Sequence, residues 1–127
     1  MTLLKDKYRG TREYALVHAE LITAARYRGT VTYQEVAQVM GLPLRGSHMA
    51  REVGQMLGSI SEDEAATGRP MLSAIAVGVS GRPGDGFFGF ARDLGKLKGE
   101  AREEEQRFWE GERAAVYETW ARQLKEP

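Results

Sequence analysis

The chain has 127 residues, 42% of them hydrophobic, with 18 basic and 18 acidic side chains and no cysteine. That length suits one domain with a real core, and the missing thiols exclude disulfides, thiolate catalysis and cysteine-bound metal. Two histidines, His18 and His48, stand without ligand-like spacing to acids, so neither a metal nor another cofactor is expected.

Formal neutrality gives no global attraction to phosphate. No apolar run reaches the ~18 residues of a membrane span. The opening MTLLKDKYRG lacks the apolar stretch of a signal peptide, so a cytoplasmic protein with no membrane partner is expected.

Residues 1–10 are polar and are expected to be frayed or loosely docked. Residues 11–27 carry a helical pattern, with Tyr14, Val17, Leu21 and Ala25 on one face. His18 shares that face and reads as a packed core histidine. Arg26, Arg28 and Gly29 close the helix, the arginines complementing its dipole.

Residues 29–60 organise the chain. Thr32 and Glu35 have capping-box spacing, so each side chain can bond the other residue's backbone N–H. Val36, Ala37 and Met40 give the short helix an apolar face. Gly41 suits a left-handed helix end, and Pro43 stops the helix from resuming. Ser47 is expected to cap a second helix with Met49, Val53, Met56 or Leu57, and Ile60 on its apolar face. A short helix, a tight turn and a second helix outline a helix-turn-helix.

Beyond Ile60, Ser61 and Glu64 read as another capping box, opening a short helix over residues 62–67 that Gly68 and Pro70 end. Its acids Glu62, Asp63 and Glu64 read as a solvated first turn rather than a catalytic carboxylate pair. Leu72, Ile75, Val77 and Val79 predict a strand over residues 71–79. The Gly/Pro-rich SGRPGDGFFGF that follows reads as a loop, with Phe87, Phe88 and Phe90 as its core anchors. Gly84, Gly86 and Gly89 spell G-x-G-x-x-G, but no second strand with an acidic residue follows, which excludes a dinucleotide site.

From about Ala91 the chain reads as helical to its end, with Trp109, Val116, Trp120 and Leu124 on one face. That stripe packs across the domain or anchors a partner or second copy. The expected architecture is mostly α with a small β component. A winged helix-turn-helix-like core over residues 11–90 carries an N-terminal helix, and residues 91–127 form a long C-terminal amphipathic extension of the same single domain.

Five stretches carry a resemblance. RGTVTYQEVA (residues 28–37), MGLP (40–43), AREVGQML (50–57), RPMLSAIAV (69–77) and GRPGDG (81–86) resemble, in order and spacing, the C-terminal DNA-binding domain of alkylguanine-DNA alkyltransferases and alkyltransferase-like proteins. The resemblance implies a winged helix-turn-helix whose second helix enters the minor groove. Arg51 would be the arginine that fills the stack when a base is flipped out. Tyr33 would press on the adjoining phosphate, and Gly54 would let the helix approach the groove floor. The chain departs from the family at its reactive centre. Met71 or Leu72 stands near the place of the cysteine nucleophile, and the histidine and arginine that follow it are missing too. Alkyl transfer to a thiolate is therefore impossible, and no other nucleophile–base pair replaces it.

The sequence thus points to a non-enzymatic DNA-binding protein, with Tyr33, Arg45, Ser47, Arg51, Gly54, Arg69 and Arg82 as candidate nucleic-acid contacts. Arg45, Arg69 and Arg82 enter because they lie in turns flanking the helix pair. The alternative is a protein-interaction module in a regulatory, immunity or phage-defence assembly, contacting a partner or second copy through Trp109, Val116 and Trp120.

Overall fold

Thr11 opens the first helix by accepting the Tyr14 N–H at 3.1 Å, and the computed structural model, which describes residues 7–122, is mostly helical from there. Five α-helices lie among the described residues: α1 (Arg12–Arg26), α2 (Tyr33–Met40), α3 (Ser47–Ala66), α4 (Asp85–Asp93) and α5 (Arg102–Trp120). Two short strands, β1 (Val31–Thr32) and β2 (Ala76–Val77), pair in parallel, with Val31 opposite Ala76 and Thr32 opposite Val77. A 3-10 turn, Leu72–Ile75, leads into β2.

Helix α2 forms as its sequence dictates. Thr32 Oγ accepts the Glu35 N–H at 3.0 Å, and Glu35 accepts the Thr32 N–H at 2.8 Å. Gly41 closes the helix at φ 75°, a conformation that costs a side chain but not glycine. Ser47, expected to cap α3, is instead its first residue. Gly46 holds the cap position and no side chain closes it.

Helix α3 runs unbroken for 20 residues, so the separate helix over residues 62–67 does not exist. Ser61 and Glu64 look like a capping box but lie mid-helix and in the last turn, buried and bonded elsewhere. Ser61 Oγ meets Ser73 Oγ at 2.7 Å and accepts the Ser73 N–H at 3.2 Å. Glu64 is 2% exposed and grips Arg69 through two bonds of 2.7 and 3.1 Å. The acids are therefore not a solvated first turn. At a helix C-terminus the dipole disfavours them, and cations answer: Arg9 reaches Glu62 at 2.5 Å and Asp63 at 3.0 Å. Tyr14 donates its hydroxyl to Asp63 at 2.5 Å. His18 is half-buried with Nε2 3.8 Å from Glu64, at the edge of the core rather than inside it.

The strand expected over residues 71–79 shrinks to two residues. Leu72, Ser73, Ala74 and Ile75 are all buried, and small side chains between the large ones let the chain coil tightly at the centre of the fold. The loop expected across SGRPGDGFFGF stops at Gly84, where α4 starts. Phe87, Phe88 and Ala91 place an apolar stripe against the core, and this burial overrides the poor helix propensity of Gly86 and Gly89. Continuous helix from Ala91 is likewise interrupted: α4 ends at Asp93, Gly95 turns the chain, and α5 begins at Arg102. Leu124 lies outside the described residues.

One apolar cluster joins α1, α2, α3, the 3-10 turn, α4 and α5. Trp109 is 5% and Val116 0% exposed, so both belong to this core. Trp109 also donates its indole N–H to the Ala74 carbonyl at 2.9 Å. Trp120 is half-buried beneath the Arg69 guanidinium. The stripe on α5 thus packs within the chain.

Candidate functional site

Helix α3, the start of α4 and Tyr33 of α2 surround a wide apolar depression of about 470 Å³. Tyr33, Met49, Val53, Leu57, Phe87 and Phe90 supply apolar lining, with the buried Ser73 side chain and the buried Gln55 Oε1 as polar groups among the lining residues. Arg51 and Gly54 border it from the solvent-facing side of α3. A volume of this size with mostly apolar walls and few polar groups is characteristic of sites for small or flat ligands.

Tyr33, the first residue of α2, joins this depression to the loop of residues 78–84. Its hydroxyl accepts the Gly84 N–H at 2.7 Å. Its side chain packs beside Gly78 and Gly84, where a Cβ at either would make ordinary contact with it at 3.7 Å. Burial pushes the Tyr33 hydroxyl above its ordinary pKa, a shift that the Gly84 N–H opposes. The phenol remains a neutral donor.

Arg51 projects from α3 with 63% of its side chain exposed, and Glu52 Oε2 lies 3.9 Å from its Nε, beyond hydrogen-bonding reach. A Cβ placed on Gly54 would meet no protein atom within 4 Å, so the chain's own packing does not require glycine there. Arg45, Ser47, His48 and Ala50 are exposed on the same approach to α3. Residues 41–51 contain Arg45 and Arg51 and no acid, and the first acid beyond them, Glu52, is 4% exposed. The exposed charges of residues 41–51 are thus cationic, while the exposed Asp85 stands between Gly84 and Gly86, two residues that line the depression.

The seven residues expected to contact nucleic acid divide accordingly. Tyr33, Arg51 and Gly54 line one depression, and Arg45 and Ser47 lie at the start of α3 beside it. Arg69 follows the other end of α3 and folds back onto Glu64, about 25 Å along the helix from Ser47 at 1.5 Å per residue. It is committed to Glu64 and Trp120. Arg82 is half-buried and lays its guanidinium over the Trp109 ring, 5.5 Å from the centroid. These two arginines hold the fold together and do not join that stretch.

Ser73, Phe87 and Phe90 are among the lining residues that were not expected contacts. The two phenylalanines carried a usable signal, since a three-residue step is helical and puts both on one side of α4. Ser73 carried none, because only the folded 3-10 turn brings it to the depression. Comparisons with known protein families, curated proteins and solved structures return no match for this chain.

Proposed function

We propose that this chain is a non-enzymatic DNA-binding protein built on a winged helix-turn-helix-like core. In this reading α2 and α3 are the paired helices, the loop of residues 78–84 is the wing, and α3 faces the groove. The observation that carries it is the exposed, loosely paired Arg51 guanidinium beside an apolar depression wide enough for an extruded base. Unstacking a base costs a few kcal/mol, and a planar guanidinium replaces part of the lost stacking. The aromatic walls would hold the base, with Ser73 and the Tyr33 hydroxyl as hydrogen-bonding groups. Gly54, unneeded by internal packing, leaves room for close approach to a groove about 6 Å wide. Catalysis has no place in this reading: Met71, near the position of the related family's nucleophile, is 0% exposed and carries no reactive atom.

The test is titration of labelled duplex, mismatched and single-stranded DNA at several salt concentrations. Binding should weaken as salt rises, because phosphate contacts release counterions. Arg51→Ala should weaken it by roughly 1–3 kcal/mol. No binding at low salt, or an Arg51→Ala variant that binds like the parent, defeats the proposal.

The chain's formal neutrality favours a second reading, in which the depression receives an aromatic side chain of a protein partner. That reading predicts no DNA binding at any salt concentration and a complex that survives high salt.

A further inference from the structure

Glu52 is an acid out of place. It sits on α3 next to Arg51, buried to 4% exposure, at the end of the acid-free stretch of residues 41–51. One of its oxygens is occupied from the other side. Lys7 Nζ lies 2.6 Å from Oε1, and the Tyr8 hydroxyl donates to the same oxygen. Both groups come from the segment that precedes α1. Its neighbour Arg9 fastens that segment further along α3, at Glu62 and Asp63.

We infer that Lys7 and Tyr8 are positioning residues for Arg51: by engaging Glu52 from behind, they keep its charge from capturing the neighbouring guanidinium. The inference rests on the DNA-binding reading above. A buried carboxylate stripped of its partners is strongly unfavourable and draws in whatever cation it can reach. Arg51 is the other cation paired with Glu52 among the described residues, with 3.9 Å left to close. Closing that gap folds the guanidinium onto the helix and takes it away from the groove. The clasp leaves Arg51 extended while burying the acid paired with it among the described residues.

Tyr8→Phe is the sharpest test, because it removes the hydroxyl while keeping both the ring and the net charge. Binding of a labelled mismatched duplex should weaken several-fold, and in Lys7→Ala/Tyr8→Phe by on the order of tenfold, comparable to losing Arg51 itself. Adding Glu52→Gln to either variant should restore binding. Glu118→Gln makes the same charge change on exposed α5 and should not restore it. In parallel, the Arg51 Nε–H resonance should exchange slowly with water in Tyr8→Phe and rapidly in the parent and in Tyr8→Phe/Glu52→Gln. A Tyr8→Phe protein that binds like the parent, or one rescued equally by Glu118→Gln, overturns the inference. Should the parent bind no DNA, the functional reading falls on its own, and the Arg51 exchange comparison still decides whether the clasp controls that side chain. Should the double variant fail to fold, Tyr8→Phe carries every comparison alone.

Discussion

Arg28 occupies a backbone position that three other helices give to glycine. α2, α3 and α4 turn out of their last turn at Gly41, Gly68 and Gly95, with φ of 75°, 78° and 77°. α1 does the same at Arg28, φ 57°, with the same paired bonds: Arg28 N–H to Ala25 at 3.1 Å and Gly29 N–H to Ala24 at 2.8 Å. Left-handed backbone costs a side-chain-bearing residue roughly 1–2 kcal/mol. Arg28→Gly should therefore leave the protein as stable or up to ~1 kcal/mol more so, while Gly68→Ala should cost about 1 kcal/mol. Urea melts should move to lower denaturant for Gly68→Ala and should not for Arg28→Gly. The buried hydroxyls set a second expectation. Burial, then the bond to Glu52, pushes Tyr8 up to about 12, and burial with Asp63 raises Tyr14 as well. Both groups hold their protons more tightly when folded, so the stability they lend is complete below pH 10 and drains as pH rises from there. Glu52 works in the other direction. The Lys7 and Tyr8 bonds hold its carboxyl below the ordinary 4.5, so its contribution is complete above that value and is lost as pH falls. Melting temperature against pH should be flat in the middle and fall at both ends. Tyr8→Phe should flatten the alkaline limb and Glu52→Gln the acid limb.

At the level of single elements, α3 owes its length to contacts outside itself. Ser61→Ala improves local helix propensity yet removes the partner of both the Ser73 hydroxyl and the Ser73 N–H, in a buried place. The variant should lose about 1–3 kcal/mol in denaturant unfolding. The same fact explains which elements could be read from the sequence. α1 and α2 were legible because their signals are local: the Tyr14, Val17, Leu21, Ala25 stripe, the Thr32–Glu35 box and Gly41 act within four residues of their own positions. Ser61 and Glu64 imitate a helix start, and only Ser73 and Arg69, brought close by folding, show that they are interior. α4 was hidden by its glycines, because the burial of Phe87 and Phe88 that outweighs them belongs to the tertiary structure. The site divides in the same way. Tyr33, Arg51 and Gly54 follow from their places on one helix pair. The diversion of Arg69 and Arg82 to Glu64 and Trp109 depends on partners that no spacing rule supplies.

Across the whole molecule, α5 is the closing member of the core. Trp109 bonds the Ala74 carbonyl and holds the Arg82 and Arg113 guanidinium groups over its ring, 5.5 and 4.5 Å from the centroid. Tyr117 donates to the Gly29 carbonyl at 2.7 Å, and the Arg122 N–H reaches the Arg26 carbonyl at 2.9 Å. Trp109→Ala should cost about 3–5 kcal/mol and lower the melting temperature in a scan followed by circular dichroism. Loosening the Arg82 loop should accompany that loss and appear as faster amide exchange over residues 78–84. Because Tyr117 and Arg122 grip carbonyls near the start of the chain, a ribosome must pass those codons before Gly29 and Arg26 receive their partners. A nascent chain stalled short of Trp109 would leave the Ala74 carbonyl bare and should be cut readily by protease, whereas the finished chain should resist.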